Sequence, residues 1–319
     1  MRPTHIISLM VLAAVSCLGA CAGQGKSEAV NEREEASGPG TLVRRTIWSA
    51  GDDRTYDIYV PASASGPLPL VIALHGGGGN SSSMVASAGW VKKAKAEGFI
   101  AVFPNGVGRM EKRYTWNAGG CCAFAMTEKS PDVKFIGDLI DVVEASEPVD
   151  RQRVYLTGMS NGGMLTFRVA AELGDKLSAV GTVVGAMFED QPLPKGNMPI
   201  VMINAVQDGV VPYDGGMSPI PLVRKSQTAP FLPARETAKR WASWNHCSGE
   251  PLAARKASVV TETFEGCTAD TVFITLEEGG HGWPGGQALR ESPEQASGAI
   301  SATDELWAFF KEQVRADHD

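Results

Sequence analysis

The sequence predicts an α/β fold with a mainly parallel central sheet, helices on both of its faces and an antiparallel hairpin at its N-terminal edge. Three observations carry this reading. Short, continuously apolar runs rich in Val and Ile recur at Leu68–Leu74, Phe99–Phe103, Arg153–Thr157, Ala179–Val184 and Met198–Ala205, as strands covered on both faces require. Helical stretches at Met84–Glu97, Phe135–Ser146 and Asn161–Leu173 alternate with them, and such alternation builds parallel sheets through right-handed crossovers. Finally, Arg153–Gly163 reads as a buried strand, a sharp glycine-flanked turn and the immediate start of a helix.

The remaining elements follow in order. Thr41–Trp48 and Arg54–Val60 alternate apolar and polar residues around Gly51-Asp52-Asp53, a hairpin signal at a sheet edge. Beyond the central strands, Arg235–Asn245 reads as a helix, Thr271–Leu276 as the last strand and Thr303–Val314 as a closing helix. Two irregular segments, Gly106–Pro131 and Asp214–Pro233, follow strand ends, where open α/β sheets place their ligands. They are expected to wall a substrate pocket. With 319 residues, 43% of them hydrophobic, and no internal repeat, residues 41–319 are read as one domain.

Residues 1–20 begin with a basic Arg2, continue through the apolar Ile6–Val15 and are too short for a spanning helix, so they read as a signal peptide. Leu18-Gly19-Ala20-Cys21 resembles the lipobox of bacterial lipoproteins, which implies cleavage before Cys21 and a lipid on its sulfur. The alternative is an ordinary signal peptide cut nearby, with Cys21 incidental. Residues 21–40 are polar and aperiodic, a disordered tether that as flexible coil spans about 25 Å. A net charge of −7 without a clustered basic run excludes a nucleic-acid footprint and leaves the lipid as the membrane contact.

Of six cysteines, Cys17 leaves with the signal and Cys21 would be acylated. Export implies an oxidising compartment, so Cys121, Cys122, Cys247 and Cys267 are expected to pair, and three connectivities exist. Cys247 with Cys267 closes a modest loop and is preferred, leaving Cys121 and Cys122 as a vicinal pair or as buried thiols. A structural zinc site would want a Cys-x-x-Cys pair, which is missing.

The chemistry centres on Gly158-Met159-Ser160-Asn161-Gly162, where Ser160 stands at the apex of Gly-x-Ser-x-Gly as a candidate nucleophile. A serine needs a base, and the chain offers five histidines. His5 lies in the signal, His318 in the tail, His75 at a buried strand end and His246 at a helix end. His281 remains, in the glycine-rich Gly279-Gly280-His281-Gly282 after the last strand, where loop flexibility is expected to let it reach Ser160. The carboxylate that orients the histidine should fall between the two in sequence. Asp208 fits best, just past Pro199–Ala205; Asp214 is the alternative, while Asp190 and Asp270 sit in polar loops. Oxyanion donors are expected from the backbone N–H of Asn161 and from His75-Gly76-Gly77-Gly78-Gly79, with Gly77 or a neighbour supplying the second. Trp116 and Trp283 are candidate aromatic walls for a substrate, with core packing as the competing role.

From about Thr41 to Val314 the chain resembles an α/β-hydrolase of the polyhydroxybutyrate depolymerase-like family, which also holds feruloyl and acetylxylan esterases. The resemblance rests on His75-Gly-Gly-Gly-Gly79, Trp116-Asn-Ala-Gly-Gly-Cys-Cys122, Thr157-Gly-Met-Ser-Asn-Gly-Gly-Met164, Asp208-Gly-Val-Val-Pro-Tyr213 and Gly279-Gly-His-Gly-Trp-Pro-Gly-Gly286. It implies Ser160 as nucleophile, Asp208 as acid and His281 as base of a serine carboxylesterase that uses no metal or organic cofactor. One departure is Asn204-Ala205-Val206-Gln207, where the family often has a histidine-glycine-threonine run. Because the chain ends with its closing helix, soluble or oligomeric esters are expected rather than solid polyester. The rival readings are a prolyl oligopeptidase-like peptidase and a non-catalytic surface-binding lipoprotein.

Overall fold

A computed structural model describes residues 40–62, 66–288 and 294–316. The expected signal peptide, the tether up to residue 39 and the lipidation site Cys21 lie outside the described residues. The elements run β1 (Leu42–Ser49), β2 (Asp52–Tyr59), β3 (Leu68–Leu74), α1 (Ser81–Ala88), α2 (Trp90–Glu97), β4 (Ile100–Pro104), β5 (Val107–Met110), β6 (Arg113–Thr115), α3 (Ala123–Thr127), α4 (Asp132–Ser146) and β7 (Val149–Met159). There follow α5 (Asn161–Leu173), β8 (Ala179–Val183), β9 (Ile200–Ala205), α6 (Pro221–Lys225), α7 (Ala234–Trp244), β10 (Leu252–Lys256), β11 (Val259–Phe264), β12 (Thr271–Leu276) and α8 (Ala302–Phe310).

Among the described residues, ten strands form one sheet in the order β1-β2-β4-β3-β7-β8-β9-β12-β11-β10. The block from β4 to β12 is parallel, so the strand ends that carry loops to the site share one edge. Alternate residues of each central strand enter opposite cores, which is why these strands read as unbroken apolar runs. In β3, Leu70, Ile72 and Leu74 pack on one face with α4, α5 and α7. Val71 and Ala73 pack on the other with α1, α2 and α8. In α4, Val133, Phe135, Ile136, Leu139, Ile140 and Val143 supply the apolar stripe that helical spacing requires.

The sheet departs from expectation at its far edge, where β10 and β11 add a second antiparallel hairpin beside β12. Every residue of β10 is exposed, so it carries no apolar pattern to read. The single helix expected over Met84–Glu97 is two, because Gly89 at φ 72° closes α1 and opens α2. The segment 106–131, expected to be irregular, contains the β5–β6 hairpin and α3. Cys247 is joined to Cys267 and Cys121 to Cys122.

Candidate active site

Ser160 follows β7 directly and adopts φ 55°, ψ −122°, a backbone conformation costly for any residue with a side chain and one held only by its surroundings. Those surroundings are close backbone. A Cβ on Gly162 would lie 2.5 Å from the His75 carbonyl oxygen and 2.6 Å from that of Leu74, so only glycine lets α5 start this near β3. Ser160 donates its own N–H to Val183 O at 2.9 Å, which ties the turn to the end of β8.

His281, on the loop after β12, places Nε2 2.8 Å from Ser160 Oγ. Its Nδ1 is 2.8 Å from Asp208 Oδ2, on the loop after β9. Since Asp208 can only accept when ionised, Nδ1 carries the proton and Nε2 is left to accept from the serine hydroxyl. The other oxygen of Asp208 accepts from the N–H groups of Val210 and Val211, both at 2.8 Å. The carboxylate therefore cannot swing away from the imidazole without giving up two bonds. Asp208 is buried, whereas the alternative acid Asp214 is exposed.

The glycine run after β3 passes across this turn: a Cβ on Gly76 would sit 3.5 Å from Ser160 Cβ, and one on Gly77 would sit 3.5 Å from Asn161 Cβ. Neither the Gly77 nor the Asn161 backbone N–H has a hydrogen-bond partner among the described residues. Two unpaired donors beside a serine hydroxyl are what a developing oxyanion requires. His75 holds the run in place: its Nδ1–H donates to Gly76 O at 2.8 Å while its Nε2 accepts from Gly106 N–H at 3.1 Å. Complete burial pushes the His75 imidazole down to about 4, with the positive charge of Arg54 acting in the same direction, so it stays neutral.

Asn161 contributes more than its backbone. Its buried side chain accepts from Trp116 N–H at 2.7 Å and donates to Trp116 O at 3.0 Å, clamping the 106–131 segment against the start of α5. Farther along, the buried Asp132 accepts from Arg54 at 2.8 Å, from Ser130 at 2.8 Å and from Asn117 N–H at 2.7 Å. A charge that deep is tolerated because it is both paired and fully bonded.

Two expectations need correction. Trp116 and Trp283 offer no aromatic wall, because both rings are buried. The Trp116 indole N–H donates to His75 O at 2.9 Å, and that of Trp283 donates to Thr303 at 2.9 Å, so these rings anchor loops to the core. Nor do the glycines around His281 serve flexibility. The segment 294–301 runs against them: Gly280 N–H bonds Gln295 O at 2.8 Å, Gly285 N–H bonds Ser297 O at 2.9 Å, and a Cβ on Gly282 would lie 2.6 Å from Ala296 Cβ. They are glycines because the segment 294–301 occupies the space, with backbone of Ser297 and Ile300 against Gly279 and Gly285 and side chains of Glu294 and Ala296 against Gly280 and Gly282.

Glu294, which sequence reasoning did not single out, accepts from the backbone N–H of both His281 and Gly209. It stands in a polar Ser-Pro-Glu stretch, Ser292-Pro293-Glu294, that carries no motif.

The chain is similar to known esterases in sequence and in fold. The family model described as Esterase PHB depolymerase matches residues 54–217. The chain is 29% identical to feruloyl esterase C of Emericella nidulans over 291 residues, covering 86% of this chain and 91% of that protein. It is also 29% identical to feruloyl esterase B of Piromyces equi over 221 residues, covering 67% of this chain but spanning only 39% of that longer protein. Among solved structures, an acetyl xylan esterase from Aspergillus awamori superposes with a TM-score of 0.58 at 14% identity, covering 84% of this chain and 99% of that one. At that identity the likeness concerns the α/β-hydrolase fold.

Proposed function

The chain belongs to the Esterase PHB depolymerase family and is a carboxylic ester hydrolase, and we propose that it works through an acyl-enzyme on Ser160 with His281 as base and Asp208 as orienting acid. The observation that carries this is the continuous relay from Ser160 Oγ to His281 Nε2 and from His281 Nδ1 to Asp208, each link 2.8 Å. Ser160 Oγ attacks the ester carbonyl as its proton passes to Nε2, and the oxyanion is met by the N–H groups of Gly77 and Asn161. The tetrahedral species collapses as the imidazolium protonates the departing alkoxide, releasing the alcohol. Water then repeats the sequence against the acyl group, frees the acid and restores the serine.

As substrates we propose feruloyl or acetylxylan esters or short hydroxyalkanoate oligomers, the first in line with the names of the two feruloyl esterases and the second with that of a bifunctional acetylxylan esterase/xylanase of Neocallimastix patriciarum, 26% identical over 163 residues. Export and anchoring through Cys21 belong to the same proposal. Two paired sets of cysteines support an oxidising compartment. The test is to expose folded protein to a fluorophosphonate probe, map the label, and compare turnover of methyl ferulate, acetylated xylan and hydroxybutyrate oligomers. Label on Ser160, abolished together with turnover in Ser160→Ala, is the expected result. Turnover that survives Ser160→Ala would sink the proposal.

A further inference from the structure

We propose that Glu294 is a positioning residue that locks the acid loop to the base loop. The inference rests on the reading of Ser160, Asp208 and His281 given above. Glu294 Oε2 accepts from the His281 backbone N–H at 2.6 Å. The Gly209 N–H, one residue past Asp208, lies 3.0 Å from Oε1 and 3.1 Å from Oε2. These two donors belong to loops that leave different strands, β9 and β12, and one carboxylate spans them. Bonds of this kind to an ionised acceptor are short and roughly twice as strong as neutral ones.

A second observation points the same way. A Cβ on Gly209 or on Gly280 would overlap the Glu294 side chain. A side chain at either position would push the carboxylate out of its place between the two loops, so both glycines leave room for it. The His281 ring has its Nδ1 tied to Asp208, but that bond fixes the relay only if the two backbones keep their separation. Glu294 sets that separation, because shortening or losing it frees one loop to slide against the other. A displacement of about 1 Å in such a site costs on the order of 100-fold in rate.

The experiment compares Glu294→Ala, Glu294→Gln and Glu294→Asp in the full chain, with kcat and KM for a short nitrophenyl ester and folded fraction from near-ultraviolet circular dichroism. Glu294→Ala should lower kcat by about 10- to 100-fold while KM moves less than about threefold. Glu294→Gln, which keeps the shape and can place its one acceptor oxygen in the Oε2 position facing both N–H groups, but as a neutral acceptor with its NH2 turned toward the Gly209 N–H, should recover part of that loss. Alanine kcat within twofold of wild type overturns the proposal, as does a loss expressed in KM alone or a glutamine variant no better than alanine. Should the alanine variant not fold, the remaining pair decides: glutamine must outperform aspartate, whose carboxylate is withdrawn by one methylene, and equal kcat overturns the proposal. Wild-type labelling of Ser160 separates the two readings, because failure of labelling sinks the relay itself, while normal labelling with indifferent Glu294 variants sinks only the clamp.

Discussion

Acidification from pH 7 to pH 5 should remove about 2 kcal/mol of stability through His75 alone. Burial holds this imidazole at about 4, against 6.5 for the unfolded chain. A folded value below the unfolded one means that the unfolded state binds the proton first. The stabilising contribution is therefore intact above about pH 6.5 and is lost as the pH falls toward 4. At pH 5 the protonation factor favours the unfolded chain about 30-fold, which is roughly 2 kcal/mol, and the loss levels off near 3 kcal/mol below pH 4. The geometry explains why the folded state refuses the proton. Nε2 accepts from Gly106 N–H, so protonating it would set donor against donor in a buried space. The assay is urea unfolding across this pH range for wild type and His75→Gln. The variant should be less stable at pH 7, since the imidazole's fit is lost, yet its stability should fall about 2 kcal/mol less between pH 7 and pH 5. Carboxylates such as Asp304, held below the ordinary range by its bond to Lys93, lose their contribution at lower pH in both chains. Parallel curves for the two proteins would refute the assignment.

Asp208→Asn should leave the circular dichroism spectrum unchanged and lower kcat on the order of 10,000-fold, because an amide can no longer select the His281 tautomer with Nδ1 protonated; a loss below tenfold would remove Asp208 from the relay. Gly162→Ala should destabilise by about 3 kcal/mol, because its Cβ would meet the carbonyl oxygens of His75 and Leu74, backbone atoms that cannot yield. Thermal melting measures this, and a wild-type transition would mean that α5 can shift where we hold it cannot.

Some elements are fully legible in the amino-acid order. β3, α5 and β12 occupy the residues that apolar pattern and turn chemistry assign them, since their signals are local and each is buried on the faces its pattern implies. β10 and the division at Gly89 escape such reading, the first because an exposed edge strand owes its existence to its neighbour's hydrogen bonds. Ser160, Asp208 and His281 could be named because elimination among few histidines and a fixed chain order narrows the choice. That Trp116 and Trp283 point into the cores could not be, since an aromatic residue in a glycine-rich loop suits either role until its neighbours are known.

The sequence by itself determined the strand–helix alternation, the shared edge to which the loops return and the identity of three chemically matched side chains. Tertiary structure alone decided the details on which the site depends. Asn161 grips Trp116 across 45 residues of chain, and Glu294 reaches Gly209 across 85. The physical reason is that periodicity, capping and turn propensity act between covalent neighbours, whereas a backbone N–H shows no preference for a distant acceptor until the sheet has brought the two loops together.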